Sequence, residues 1–163
     1  MLVLVPQQIL VSIRLERSKY LPRETGGFLI GMRRGDHIEV TNLTRQSEGD
    51  IATPSSFERA SAAHRKAILS AWTRSGELDS LVGDWHSHPD AACQASSIDR
   101  RSWSKLRKAV GAPVVGLIDC GANLSVAYAS TGRWLQKVTE LTIVEQAESS
   151  VVYRAGDEDE RVV

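Results

Sequence analysis

The N-terminal part of the chain combines an apolar run with an amphipathic stretch. Residues 2–5 are all apolar and predict a short strand. Pro6 follows, and proline suits the first turn of a helix because an N–H there would have no partner. We therefore predict a helix after Pro6, with one inward face. The positions on that face are Ile9, Leu10, Ile13 and Arg17.

Two paired strands and a second helix are predicted before residue 80. Residues 28–31 and 38–43 are joined by Arg34-Gly35-Asp36, which favours a tight turn, with His37 in solvent beside it. The clearest helical pattern begins at Ser55, where Ser55 and Glu58 form a capping-box pattern, and continues to Gly76. Its inward stripe contains Phe57, Ser61, His64, Ile68 and Trp72. On this stripe a satisfied, semi-buried His64 is favoured over a metal ligand.

The second half of the chain returns to strands. Residues 81–88 predict a central strand, and residues 97–110 predict a helix with Ile98, Leu106 and Val110 inward. After Gly111-Ala112-Pro113 come predicted strands at 114–119, 124–129 and 134–144. The pattern therefore predicts an α/β (α+β) fold in which a mixed central β-sheet is flanked by helices.

Composition is typical of one soluble enzyme domain. The 163 residues are 42% hydrophobic and 25% charged, which allows one sizeable core. We expect a domain at residues 1–150 and an acidic, mobile tail at residues 151–163. The 20 basic and 20 acidic residues balance, so charge favours neither nucleic acid nor an anionic membrane as a partner.

The lack of a recognisable targeting signal and the small number of cysteines predict a cytoplasmic protein. The sequence shows no charged-then-apolar leader and no apolar run long enough to span a membrane. Only Cys93 and Cys120 occur. Cys93 could be an extra ligand or a nucleophile, but no histidine of the motif is placed to activate it, and a small residue in an active-site loop is the favoured interpretation.

Two histidines and one aspartate give the strongest chemical signal. His86 and His88 are two residues apart on a predicted strand, so both side chains point the same way and can reach one ion. Asp99 lies where the next helix is predicted to begin. Two nitrogens and one oxygen suit zinc, and three protein ligands leave a fourth tetrahedral position for water. The pattern predicts a catalytic site for one Zn2+ per chain.

The wider pattern resembles a known signature. Glu24 precedes Gly26-Gly27, His86-Ser87-His88-Pro89 follows, and Ser96 lies three residues before Asp99. Together they resemble the JAMM signature of the MPN (Mov34/PAD-1, JAB) metallopeptidase family, with every motif position filled. An HxH pair alone would be weak evidence, whereas the full spacing is specific. The resemblance implies a single MPN/JAB-like domain.

The resemblance also implies a role for each residue. The metal would be bound by His86, His88 and Asp99. Glu24 would take a proton from the attacking water and pass it to the leaving amine, and Ser96 would help hold the oxyanion. Ser96 could instead be a helix N-cap, with Asp99 completing a capping box. Capping and metal binding are compatible for Asp99, because a carboxylate has two oxygens.

A resemblance to stand-alone bacterial JAB peptidases implies the substrate. The chain is short, and the stretch from Ser56-Phe57 through Trp72 to Val82-Gly83-Asp84-Trp85-His86 looks like those enzymes, which often accompany E1-like and E2-like proteins. The implied reaction is hydrolysis of the bond between the C-terminus of a ubiquitin-like or conjugated protein and its target. In CBASS anti-phage defence that protein is a CD-NTase. The substrate would present an extended C-terminal strand along a sheet edge or groove.

Other functions are consistent with parts of the pattern. A sulfur-carrier or peptide substrate would use the same chemistry, and a non-catalytic MPN scaffold would use the same fold. The filled ligand set disfavours the scaffold. A zinc nuclease or deaminase is disfavoured because the paired-cysteine zinc motif is missing and no basic stripe would bind a nucleic-acid backbone.

Overall fold

Strands alternate with helices along the chain in a computed structural model that describes residues 1–89, 93–131 and 136–155. In chain order the elements are β1 (Leu2–Pro6), α1 (Gln7–Tyr20), β2 (Gly26–Arg34), β3 (His37–Leu43), β4 (Ile51–Thr53), β5 (Ser56–Glu58), α2 (Ala62–Arg74), β6 (Ser80–Ser87), α3 (Ser97–Val110), β7 (Val114–Asp119), β8 (Leu124–Thr131), β9 (Gln136–Gln146) and β10 (Ser150–Ala155). Within these described ranges, no helix has both the length and the apolar character needed to cross a membrane.

Eight of these strands form one sheet that closes on itself in the order β1-β10-β9-β8-β7-β6-β2-β3. The pairs β1–β3 and β6–β7 are parallel, and the other neighbours are antiparallel. The predicted mixed sheet with flanking helices is therefore confirmed, although its closure was not predicted. Strand β10 lies in the segment assigned to the tail, so the sheet continues past residue 150. Residues 156–163 of that segment lie outside the described residues.

Strand β6 occupies the position predicted for a central strand. It pairs with β2 on one side and with β7 on the other, and residues 82–87 are all buried. A strand buried on both faces is expected to be apolar along its length. Here it carries Asp84, His86 and Ser87 instead, and buried polar groups of this kind need specific partners.

Helix α1 has the inward face that the sequence predicts. Ile9, Leu10 and Ile13 are buried in the larger of two apolar clusters, together with residues of the closed sheet. At about 25 cal/mol per Å2 of apolar surface removed from water, such burial stabilises the contact between α1 and the sheet by several kcal/mol. The predicted strand-then-helix start of the chain is confirmed.

Helix α3 is anchored by a tryptophan that the sequence pattern did not single out. Trp103 is 1% exposed and packs against β7 and β8 residues in the second apolar cluster, where Leu106 and Val110 also pack as predicted. Its indole lies directly over Gly116, where a Cβ would overlap the ring. The prediction that Ile98 faces inward is wrong, because Ile98 is 72% exposed. Five residues separate it from Trp103, and at 100° per residue the two side chains diverge by about 140°.

The helix predicted to begin at Ser55 begins later. Residues 51–58 form the β4–β5 hairpin, and α2 starts at Ala62. The Thr53 hydroxyl stabilises the turn by accepting from the Ser55 N–H and by bonding to the Ser56 hydroxyl, the local competition with helix for which such residues are known. Ser61 is the actual N-cap, and its side chain accepts from the Ala63 N–H. The prediction that Trp72 faces inward is wrong, because Trp72 is 40% exposed, whereas the neighbouring Ala71 is buried.

Replacing Gly116 with alanine should lower the free energy of unfolding by about 1–3 kcal/mol, because the added methyl overpacks the Trp103 ring. Urea denaturation followed by circular dichroism measures this loss. A change within about 0.5 kcal/mol, the range of ordinary surface substitutions, would contradict the packing described for α3.

Candidate metal centre and cleft

The end of β6 places two histidines in the lining of a cleft. His86 is the penultimate residue of the strand and pairs with Gly26 of β2 and Ile118 of β7. Between the two histidines, Ser87 is fully buried and faces the other way. Its N–H donates to the Thr25 carbonyl, and its hydroxyl accepts from the Thr25 N–H. This exchange fixes the alternation that turns both imidazoles toward the cleft.

Three side chains meet at this point. The Nε2 atoms of His86 and His88 are 3.2 Å apart, and His86 Nε2 is 3.2 Å from Asp99 Oδ1. His88 Nε2 lies 3.8 Å from Asp99 Oδ2. Ligands placed about 2.1 Å from a tetrahedral ion lie about 3.4 Å from one another. The His86–His88 and His86–Oδ1 separations are close to this value, and one ligand atom from each of the three residues lies within 4.8 Å of the others, so the group can hold a single ion. The described residues therefore contain a His-His-Asp group able to hold a metal, as the spacing of the motif predicted.

Asp99 reaches the group from the first turn of α3. Its Oδ2 accepts hydrogen bonds from the Ser96 N–H at 2.7 Å and the Ser96 hydroxyl at 2.6 Å, and its own N–H donates to the Ser96 hydroxyl. This is a complete capping box. Because Oδ1 remains directed at His86, capping and metal binding coexist in one carboxylate, as the sequence allowed.

The electrostatics keep Asp99 ionised. Burial opposes its charge, but the hydrogen bond and charge of His86, with the two hydrogen bonds from Ser96, outweigh burial and hold the pKa of the carboxyl well below its usual range. The group is therefore an anion at neutral pH and needs no deprotonation before it binds a cation. The structure shows Ser96 in its capping role, and its oxyanion role stays a prediction.

Glu24 lies two residues before the start of β2 and lines the same cleft. It is 8% exposed, and its N–H donates to the Thr53 carbonyl of the hairpin at 2.8 Å. The two glycines that follow leave no room for a side chain, since a Cβ on Gly26 would lie 2.6 Å from the Trp85 carbonyl and one on Gly27 would overlap the Thr44 backbone. The glycines of the ExGG turn thus let β2 close tightly against β6, which brings Glu24 to the histidines.

The cleft runs between the hairpin and the start of α3. It has a volume of about 430 Å3, and its floor contains Glu24, His86, His88 and Asp99. The hairpin turn supplies one wall with Ser55 and Phe57, and α3 supplies the other with the exposed Ile98. An open groove with apolar walls and a polar floor suits an extended polypeptide segment.

Arg59 is a residue of the site that the sequence analysis missed. Its guanidinium donates to the Gly27 carbonyl at 2.8 Å and the Trp85 carbonyl at 2.7 Å, and it lies 3.4 Å from Asp84 Oδ2. The other Asp84 oxygen accepts from the Trp103 indole at 2.7 Å. These contacts join the hairpin, β2, β6 and α3. No local signal marks Arg59, because the partners of its hydrogen bonds and its ion pair are all distant in the sequence.

His64 is a buried, hydrogen-bonded histidine and not a member of the metal-binding group, as predicted from the sequence. It is 2% exposed, its Nδ1 lies 2.7 Å from the Thr44 hydroxyl, and its Nε2 lies 2.9 Å from an Asp50 oxygen. Asp50 also accepts from the Ser47 and Ser61 N–H groups. This satisfied network fixes the ends of the segment that carries the hairpin, and it lies apart from the His-His-Asp group.

The two cysteines are joined in a disulfide, with their Cα atoms 5.5 Å apart. Cys120 follows the last residue of β7, and Cys93 lies in the loop between His88 and α3. The bond ties that loop to the sheet, and neither sulfur is available as a ligand or a nucleophile while it is bonded. The interpretation of Cys93 as only a small loop residue missed this pairing, because a separation of 27 residues gives no local signal.

Comparison with known proteins agrees with the geometry. A CD-NTase/cGAS isopeptidase of Escherichia coli (strain TW11681) is 28% identical over 102 residues, which cover 62% of this chain and 65% of that protein. A CD-NTase/cGAS isopeptidase of Vibrio cholerae serotype O1 is 34% identical over 86 residues, which cover 53% of this chain and 55% of that protein. The matches span less than two thirds of either relative's length.

A protein of Desulfitobacterium hafniense whose solution structure is known shares the fold, with a TM-score of 0.59 over 87% of this chain and 92% of that one at 18% identity. The family model described as prokaryotic homologues of the JAB domain matches residues 6–136, a range that includes Glu24, both histidines, Ser96 and Asp99. The resemblance noted from the motif is thereby confirmed, and the chain belongs to the prokaryotic homologues of the JAB domain.

Proposed function

We propose that this protein is a zinc isopeptidase that releases the C-terminus of a conjugated protein from its target, and that the conjugated protein is a CD-NTase of a CBASS anti-phage system. The observation that carries the proposal is the convergence of His86, His88 and Asp99 beside Glu24 in one open cleft. The similarity to two CD-NTase/cGAS isopeptidases supports the choice of a CD-NTase.

Zinc is the proposed metal because the donor set is two imidazole nitrogens and one carboxylate oxygen, from three residues. We propose one ion per chain. When bound, zinc would supply Lewis-acid polarisation of the scissile carbonyl and a water of lowered pKa. The site's three side chains are partly shielded, with 8–15% of their surface exposed, which strengthens their hold on a cation.

The remaining chemistry falls to this chain's own residues. The Glu24 carboxylate would accept a proton from the attacking water and then donate it to the nitrogen of the leaving lysine amine. The Ser96 N–H would keep Asp99 oriented, and the Ser96 hydroxyl would turn its one proton from Asp99 to the oxygen of the carbonyl under attack. Amide hydrolysis needs both a nucleophile and a protonated leaving group, and Glu24 serves both requirements in turn.

The substrate would enter as an extended C-terminal strand between the hairpin and α3. Phe57 and Ile98 offer apolar contacts on opposite walls, and the main chain of β4 and β5 forms a two-stranded sheet at the rim. Main-chain pairing with such an edge would supply affinity. Small residues would be favoured before the scissile bond, because bulky side chains would collide with the loop around Pro89 and Ser96, which lines the cleft. Companion E1-like and E2-like proteins would form the conjugate that this enzyme cleaves.

We place this activity in the cytoplasm, where a CD-NTase conjugate would be met. Disulfides such as Cys93–Cys120 are rare in that compartment because glutathione and thioredoxin keep thiols reduced. The contacts described above for His86, His88 and Asp99 involve neither sulfur. The bond therefore uses none of the proposed metal-ligand atoms.

Glu24→Gln should keep the metal and the fold but lower kcat by about 100-fold or more, because the amide cannot take the proton. The assay is cleavage of a CD-NTase joined through its C-terminus to a lysine of a carrier protein, with metal content measured by mass spectrometry. Glu48→Gln, at an exposed position outside the cleft lining, is the matched control. Unchanged turnover in Glu24→Gln would refute the assigned proton transfer.

His88→Ala should lose both bound metal and turnover. Removing a ligand is expected to weaken zinc by more than the roughly 10–100-fold typical of losing an outer partner. Zinc content after dialysis against a weak chelator measures the loss, with His37→Ala at the exposed start of β3 as the matched histidine control. Full zinc occupancy in His88→Ala would show that the ligand set is wrong.

A further inference from the structure

His88 lies outside the regular sheet. Strand β6 ends at Ser87, so the backbone of the next two residues has no ladder partner. Proline has no N–H, which leaves three backbone groups to satisfy: the N–H and carbonyl of His88 and the carbonyl of Pro89. The His88 N–H donates to the Asp119 carbonyl of β7 at 2.9 Å. The two carbonyls point the other way, toward helix α1.

Arg17 satisfies both carbonyls. Its Nε donates to the His88 carbonyl at 3.1 Å, and its Nη2 donates to the Pro89 carbonyl at 3.0 Å. Hydrogen bonds from a charged donor are about twice as strong as neutral ones, and a planar guanidinium fixes the direction of both. Two successive peptide groups are therefore held in one orientation by a single side chain.

Arg17 is itself held in place. It lies in the last turn of α1, on the face that buries Ile13 one turn earlier. Gly121 leaves space for the guanidinium, since a Cβ there would lie 2.9 Å from Nη1. Asp119 is fully buried beside this contact. Burial raises the pKa of Asp119, while the nearby charge of Arg17 and a backbone hydrogen bond from Gly121 oppose this shift.

We propose that Arg17 is a positioning residue for the metal ligand His88. Arg17 fixes the peptide group that follows His88 and the next one along the chain, while the Asp119 carbonyl holds the His88 N–H on the other side. Together these contacts set the direction of the His88 Cα–Cβ bond and keep Nε2 within 3.2 Å of its counterpart on His86. The inference rests on the proposed metal site, and it adds a residue 71 positions away that the motif does not contain. Lysine cannot replace it, because an ammonium is a point donor without the two-pronged fork.

The test compares Arg17→Lys with Arg14→Lys, which changes an exposed arginine on the same helix without loss of charge. The first readout is zinc affinity from competition with a chromogenic chelator, at a temperature where both variants are folded. We expect affinity to fall about 10–100-fold in Arg17→Lys, the range for loss of a ligand's supporting contact, and to stay unchanged in Arg14→Lys. The visible spectrum of the cobalt(II) form should change in Arg17→Lys alone.

A merely structural role gives a different result. If Arg17→Lys melts at a lower temperature but its folded form binds zinc and cobalt as the wild type does, the positioning role is overturned. If the lysine variant does not fold, Arg17→Ala with millimolar guanidinium provides the second measurement, and urea at the same concentration is the neutral control. Recovery of zinc affinity with guanidinium alone supports the proposal, and no recovery overturns it.

The experiments distinguish a failure of the Arg17 proposal from a failure of the proposed isopeptidase function. A wild type that binds zinc through an Arg17-dependent site but cleaves no CD-NTase conjugate refutes the isopeptidase proposal and leaves the positioning role intact. A wild type that binds neither zinc nor cobalt overturns both. With an active wild type, Arg17→Lys should lower kcat and leave KM close to its original value, because the substrate cleft is unchanged.

Discussion

The pairing of β6 with β2 and β7 is the constraint on which the site depends. His86 is in register with Gly26 on one side and with Ile118 on the other. Side chains alternate along a strand, so a slip of one residue would turn His86 and His88 away from the cleft and bring Ser87 into it. The tight glycine contacts of β2 and the exchange of hydrogen bonds between Thr25 and Ser87 oppose that slip.

The third ligand is coupled to the same strand. Asp84 lies two residues before His86 and accepts from the Trp103 indole, while Trp103 anchors α3, which carries Asp99. Arg59 bonds to the backbone of β2 and β6 beside this pair and approaches the rings of Phe28 and Phe57. Both walls of the cleft, the hairpin and α3, are thus bonded to β6. Because β6 also carries the two histidines, the walls are held in fixed positions relative to the metal ligands.

Much of this arrangement could be predicted from the sequence, because its signals are local. The HxH spacing on an apolar strand, the serine three residues before Asp99 and the strand periodicities each occupy a few adjacent residues. The hairpin at 51–58 was mistaken for a helix start because Ser55 and Glu58 imitate a capping box, while the deciding contacts join Asp50 to Ser61 and His64 across the segment. These longer-range contacts, together with the local Thr53 hydroxyl contacts of the turn, override the capping-box pattern.

Other parts of the structure could not be predicted, because the contacts that form them join residues far apart in the sequence. Closure of the sheet depends on β1 meeting both β10 and β3, which are distant in sequence. The Cys93–Cys120 bond, the Arg59 hydrogen bonds and the Arg17 hydrogen bonds each join residues 26–72 positions apart, and none leaves a spacing that marks it. The motif therefore identifies the atoms that meet the metal, whereas the scaffold that holds them is visible only in the folded chain.

The central claim is that one ion is held where β6, the start of α3 and the ExGG turn converge. The most direct measurement is an anomalous difference map at the zinc absorption edge from crystals of the wild-type protein loaded with zinc. The account predicts one peak per chain, about 2.0–2.2 Å from a nitrogen of each histidine and from an oxygen of Asp99, with Glu24 facing the open coordination position. A peak bound by any other set of side chains, or no peak in a protein that is folded and zinc-saturated, would contradict it.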